Sequence, residues 1–165
     1  MTAGDARPVI VRPAGSDDYA RLSAVFGEAE RFHRVALPEV FREPSGLFPP
    51  AALFGQLLDG PDSAVFVAED GPELVGVVTV RAEVVPENDI MLPRRSAIVE
   101  MLAVRSDRQR RGIGTDLMLA ARSWATARGL DRVALNVWEF NQSAIAFYRS
   151  LGYATSSRMM EIPLG

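Results

Sequence analysis

The chain has 165 residues, a net charge of −3, 48% hydrophobic and 24% charged residues, a profile that fits one globular domain able to bury a core. It has no cysteine and one histidine, which removes disulfides, a thiol nucleophile and a Cys- or His-built metal site. All 18 basic residues are arginine; the overall acidity argues against nucleic acid, and no apolar run nears the ~20 residues of a membrane span.

The opening M-T-A-G-D-A-R-P has no apolar h-region, and with the lack of cysteine this fits a cytoplasmic protein. Residues 1–7 read as a frayed end, within a single domain over residues 1–165. Residues 9–12 form a short strand. Ser16 or Asp17 caps a helix over residues 18–30, with Tyr19, Leu22, Val25, Phe26 and Ala29 at helical spacing. Residues 31–48 are irregular, with prolines at 38 and 44. Pro50 suits the first turn of a helix ending near Leu58. Residues 64–69 and 73–82 are strands joined by the Asp70-Gly71 turn signal. A polar loop over 84–95 leads to a strand over 96–104 and a helix over 113–128. Gly129 is expected in the left-handed conformation just beyond it. A strand over 132–137, a short helix from Asn141 or Ser143 to Leu151, and a strand over 153–162 complete the order β-α-α-β-β-β-α-β-α-β. This is an α/β (α+β) pattern, one mixed sheet with helices on both faces.

Charge is unevenly spread. Between Arg94 and Arg132 nine arginines face four acids, a local +5 against −8 elsewhere, which suits a polyanionic cofactor beside a cationic substrate. Within that stretch Gln109-Arg110-Arg111-Gly112-Ile113-Gly114 lies between strand and helix. Free N–H groups at a helix start, together with the helix dipole, favour an anion there. A P-loop is excluded without lysine. A Rossmann fingerprint is excluded because Leu117 stands where the third glycine belongs.

The Gln109–Gly114 turn, followed by the run N-Q-S-A-I-A-F-Y-R-S-L-G-Y from Asn141 to Tyr153, resembles the GNAT superfamily of acyl-CoA-dependent N-acyltransferases. The resemblance implies a mostly antiparallel GNAT-like sheet and acetyl-CoA as co-substrate, with no metal. It places the diphosphate on Gln109, Arg110, Arg111, Gly112, Ile113, Gly114 and Thr115, with Arg108 as an added charge. The pantetheine arm would lie along Met101, Leu102, Ala103 and Val104, with an N–H near Leu102 stabilising the thioester oxygen. Asn141 would bond the cofactor arm, cap its helix, or do both; Phe147 would pack on the cofactor or in the core. Tyr148 aligns with the family's general acid, and a positioning role is the alternative. Glu100 aligns with a general base, salt-bridged or substrate-anchoring carboxylate being the alternative; burial among I-V-E-M-L-A-V would raise its pKa. Strict alternation puts Glu100, Leu102 and Val104 on one face and Val99, Met101 and Ala103 on the other. His33, just after the first helix, Glu30 and Trp138 are weaker acceptor-site candidates, followed by Glu83 and Glu139.

The expected activity is transfer of an acetyl group from acetyl-CoA to a primary amine of a small molecule, by direct attack in a ternary complex. A polyamine, an amino acid derivative and an aminoglycoside all fit the acidic remainder. Alternatives are a protein or peptide amine as acceptor, a non-catalytic acyl-CoA sensor, and a nucleotide-binding regulator. Dimers are common in the family, which makes a homodimer a further expectation.

Overall fold

The computed structural model describes residues 8–164; the expected frayed end at 1–7 lies outside them. The elements are β1 (Ile10–Pro13), α1 (Asp18–Arg21), α2 (Ser23–Ala36), α3 (Ala51–Asp59), β2 (Ser63–Asp70), β3 (Glu73–Val85), β4 (Arg94–Val104), a 3-10 turn at Ser106–Arg108, α4 (Ile113–Ala127), β5 (Arg132–Leu135) and α5 (Gln142–Ser150). The sheet order is β1-β2-β3-β4-β5, antiparallel except for the parallel β4–β5 pair. No helix among the described residues is long and apolar enough to cross a membrane.

Two cores cover the two faces of the sheet. On one, Val78, Val80, Ala97 and Val99 pack with Ile113, Leu117, Met118 and Ala121 of α4. On the other, Val65, Val67 and Val77 pack with Leu22, Val25 and Phe26 of the first helical segment and Phe54 of α3. The long apolar run of β3 is explained by this packing, because both of its faces are covered.

Four expectations are corrected. The first helix is interrupted at Leu22 and then runs to Ala36, six residues past the expected end; it stops where Pro38 excludes helical backbone at Leu37. His33 therefore lies in its last turn. β3 and β4 are longer than expected, and the loop between them shrinks accordingly. β5 stops at Leu135, two residues early. The last strand is absent: among the described residues, 153–164 join no ladder, although β5 leaves one edge of the sheet free, because an apolar pattern alone does not bring a segment into register with an edge. Gly129 does adopt the left-handed conformation, at φ 63°.

Asp18 fixes how the first helical segment meets the sheet. Its buried carboxylate accepts from Arg12 Nη1 and Nη2 at 2.7 and 2.9 Å, Arg21 Nη1 at 2.8 Å and the Gly15 N–H at 2.9 Å. The Arg12 hydrogen bond, opposed by burial, holds its pKa down at about 2. A carboxylate depressed in the folded state stabilises the fold above its unfolded pKa, and that stability is lost as pH falls through the folded value. Asp18→Asn is thus expected to cost about 2 kcal/mol at pH 7 in urea unfolding, with the difference from wild type shrinking between about pH 4 and pH 2.

Candidate active site

β4 and β5 pair only from Ser96↔Arg132 to Val99↔Leu135. Beyond Val99, β4 continues to Val104 while β5 ends, so the sheet is split on that side. The split begins at a β-bulge. Val80 pairs with Val99 and Thr79 with Met101, which leaves Glu100 as the extra residue. A bulge reverses the alternation. Leu102 and Val104 pack on the α4 side with Val99, and Met101 and Ala103 pack on the α1–α3 side. The expected partition, with Glu100, Leu102 and Val104 sharing a face, is corrected accordingly.

The bonding direction of the backbone is set by one contact. The Arg105 N–H donates to Val75 O on β3. Groups two residues apart along a strand point the same way, so Ala103 and Met101 bond towards β3. The N–H groups of Leu102 and Val104 then face the side that β5 has vacated. Gln109 Nε2 donates to Val104 O at 3.1 Å and ties the turn to the strand end.

The backbone of the turn can hold an anion. Arg110 and Gly112 both have positive φ, 58° and 85°. Residues in and out of the left-handed region bring successive N–H groups to one side of the chain. The first turn-to-helix bond is Asp116 N–H to Gly112 O. Among the described residues no acceptor takes the N–H groups from Arg110 to Thr115. Arg110 and Arg111 form no ion pair among them either, whereas Arg108 is held by Asp70, Asp107 and Glu73. Arg108, expected to add charge for the ligand, is thus committed within the chain. Glu28, which carries no motif in the sequence, accepts from the Ser106 N–H at 2.7 Å and couples α2 to this turn.

α5 closes the site from the other side. Asn141 caps it, accepting from the Ala144 N–H at 3.1 Å and from Ser143 Oγ. A Cβ on Gly114 would lie 3.2 Å from Phe147 Cζ, so that glycine lets Phe147 pack on the start of α4. The Tyr148 ring sits 5.3 Å from Phe147 and 5.8 Å from Tyr153. Burial pushes its phenol up to about 12, and its hydroxyl bonds no other described residue. Leu102, Val104, Phe147 and Tyr148 all pack on the same core, on the α4 side.

Glu100 differs from its expected setting. It is exposed, and its Oε1 accepts from Arg81 Nε at 2.6 Å. The charge in the apolar run is explained by the bulge, which turns Glu100 towards Arg81 on the α1–α3 face. On that face a group of aromatic rings joins distant segments. His33 lies 5.5 Å from Phe32, 5.5 Å from Phe41 and 6.0 Å from Phe140, and Phe41 lies 5.5 Å from Trp138. Phe32 and Trp138 are each more than two-fifths exposed. His33 Nδ1 contacts Ala29 O at 2.8 Å. Glu30 is taken by Arg34. Phe32, Phe41 and Phe140 were not singled out from the sequence. Among the described residues no cluster of metal-ligating side chains occurs.

The fold is that of the acyl-CoA-dependent N-acyltransferases. The model of the acetyltransferase (GNAT) family matches residues 29–153, and the chain belongs to that family, whose members use acetyl-CoA. It is 24% identical over 143 residues to the uncharacterized N-acetyltransferase YhfO of Bacillus subtilis, covering 87% of this chain and 88% of that one. It is 30% identical over 91 residues, 55% of this chain, to N-acetyltransferase family 8 member 3 of Rattus norvegicus; that match spans only 38% of the rat protein. The crystal structure of a tetramutant of BH1408 from Bacillus halodurans superposes with a TM-score of 0.89 at 27% identity, covering 94% and 99% of the two chains. An aminoglycoside acetyltransferase from a soil metagenome, solved with sisomicin, shares the fold at a TM-score of 0.64 and 21% identity, with 95% of each chain covered.

Proposed function

We propose that this N-acetyltransferase transfers the acetyl group to a primary amine of a small cationic molecule, by direct attack within a ternary complex. The observation that carries the reading is the bulge at Glu100. It sends Glu100 to the α1–α3 face while Leu102 and Val104 stay on the face shared with Tyr148. Donor and acceptor can then approach the split from opposite sides of one strand. Polyamines, amino acid derivatives and aminoglycosides have the required chemistry, and a solved protein of this fold holds the aminoglycoside sisomicin.

Acetyl-CoA supplies the activated thioester. The N–H groups of Arg110 to Thr115 receive its diphosphate, and Arg110 and Arg111 add charge. Its arm runs along Leu102, Ala103 and Val104. As the amine nitrogen attacks the carbonyl carbon, the C–N bond forms and negative charge gathers on oxygen, where the Leu102 N–H is the donor. Collapse breaks the C–S bond. Tyr148, protonated at every working pH, donates to the departing sulfur. Glu100 takes the proton released by the amine, directly or through water; the Arg81 hydrogen bond holds its carboxylate in place until the acceptor arrives. The rings of Phe41, Trp138 and His33 offer faces to a cation.

A panel of amines, read by release of free thiol from acetyl-CoA, tests this. Release should require an acceptor amine; thiol release that is independent of the amine, or none with any amine, overturns the reading. Trp138→Ala is expected to raise the acceptor KM about 10-fold and to leave the KM for acetyl-CoA within about twofold.

A further inference from the structure

Aromatic rings gather on the α1–α3 side of the split. β5 runs parallel to β4, and Val99 pairs with Leu135, so the chain beyond Leu135 carries Trp138 and Phe140 towards the level of Glu100. There they meet rings from α2 and from the segment after it. Phe140 lies 5.6 Å from Phe32 and 6.0 Å from His33, and Trp138 meets Phe41 edge-on at 5.5 Å. His33 joins the two halves, 5.5 Å from Phe32 and 5.5 Å from Phe41. Phe41 and Phe140 are partly buried, while Phe32 and Trp138 stay largely uncovered. Three separate segments thus hold one apolar surface with two open rings, more than a solvated face needs.

The carboxylates on this side are already matched. Glu100 and Glu83 share Arg81, at 2.6 and 3.2 Å. Glu30 is bound to Arg34 at 2.7 Å, and Glu43 lies 4.0 Å from the same guanidinium. Glu39 is exposed, where solvent weakens any pairing. Arg31 and Arg42, next in sequence to Phe32 and Phe41, add exposed positive charge. One ammonium can be received by exchange at Glu100, because Arg81 retains Glu83. A second or third would have to displace further arginines or lie unpaired. A body rich in hydroxyls would also lose its hydrogen bonds to water against ring faces that return few.

We infer that the acceptor, on the reading proposed above, is an arylalkylamine: a primary amine with one positive charge, on a short alkyl arm that carries an aromatic body. The body lies on the open rings of Phe32 and Trp138, and the arm brings the amine to Glu100. The C–N bond forms and the C–S bond breaks as with any amine; the rings select the body. Polyamines and aminoglycosides, with several charges each, are then poor acceptors.

Thiol release from acetyl-CoA with 2-phenylethylamine, butylamine, spermidine and sisomicin tests this. The kcat/KM for 2-phenylethylamine should exceed each of the others by about 10-fold or more. Spermidine or sisomicin as the best acceptor overturns the inference and leaves the N-acetyltransferase reading standing. Butylamine as good as 2-phenylethylamine takes the rings out of recognition and overturns it too. No release with any amine overturns the reading and the inference together. Phe32→Leu keeps an apolar side chain and removes one ring. It should lower the ratio of kcat/KM for 2-phenylethylamine over butylamine about fivefold. Both amines are read on one preparation, so any loss of folded protein cancels, and an unchanged ratio overturns the inference.

Discussion

Tyr148→Phe is expected to lower kcat for amine acetylation about 100-fold while leaving the KM for acetyl-CoA nearly unchanged. The phenol lies on the α4 side beside Phe147, which packs on the start of α4 at Gly114. Burial raises its pKa to about 12, so it stays protonated through the working range. Its loss removes a donor for the departing sulfur. The fold should be indifferent, because the hydroxyl bonds no other described residue and its removal strands no partner. Thermal unfolding should therefore match wild type while turnover falls. The alkaline side of the pH–rate profile should also show no limb from this group below about pH 11. A variant that turns over at full rate assigns the thiolate's proton to solvent and leaves Tyr148 a packing role.

Gly112→Asp should weaken acetyl-CoA binding roughly 100-fold, through like-charge repulsion at close range. The site is chosen for its backbone. Gly112 has φ 85°, and aspartate enters the left-handed region more readily than most residues with a Cβ. A Cβ there meets no atom within 4 Å. The stability cost should then stay near ~1 kcal/mol, measurable by urea unfolding, while calorimetric titration of CoA shows the much larger loss. Gly114→Val gives an informative contrast. Its side chain would press on Phe147 rather than on the ligand, so it should disturb the α4–α5 contact and stability first. Equal CoA affinity in wild type and Gly112→Asp would move the diphosphate away from this turn.

Much of this architecture was legible because it rests on residues with few conformational options. Gly112 and Gly129 mark positive φ, Asn141 caps α5, and Asp70-Gly71 turns the hairpin. Gln109 to Gly114 stood out because the backbone between strand and helix there needs glycine at positive φ. The bulge at Glu100 was not legible, since alternation assumes an unbroken ladder. Glu100 was singled out correctly as a charge needing a reason, but the reason is exposure beside Arg81 and not burial. The extension of α2 was hidden by the mixed run Arg31–Ala36, although Pro38 was the usable stop signal. The Trp138 ring stands about 100 residues along the chain from those of His33 and Phe41, and only tertiary folding brings them together. The final strand expected over residues 153–162 does not form, because an apolar pattern does not by itself secure backbone pairing with an edge.

Amide chemical shifts during titration with acetyl-CoA test the central claim most directly, that the cofactor lies in the split beside β4 with its diphosphate on the turn. The N–H signals of Arg110 to Thr115 should move most, followed by those of Leu102 and Val104, with Met101 and Ala103, bonded to β3, moving less. Shifts confined to other elements, or none at saturating acetyl-CoA, would contradict the account.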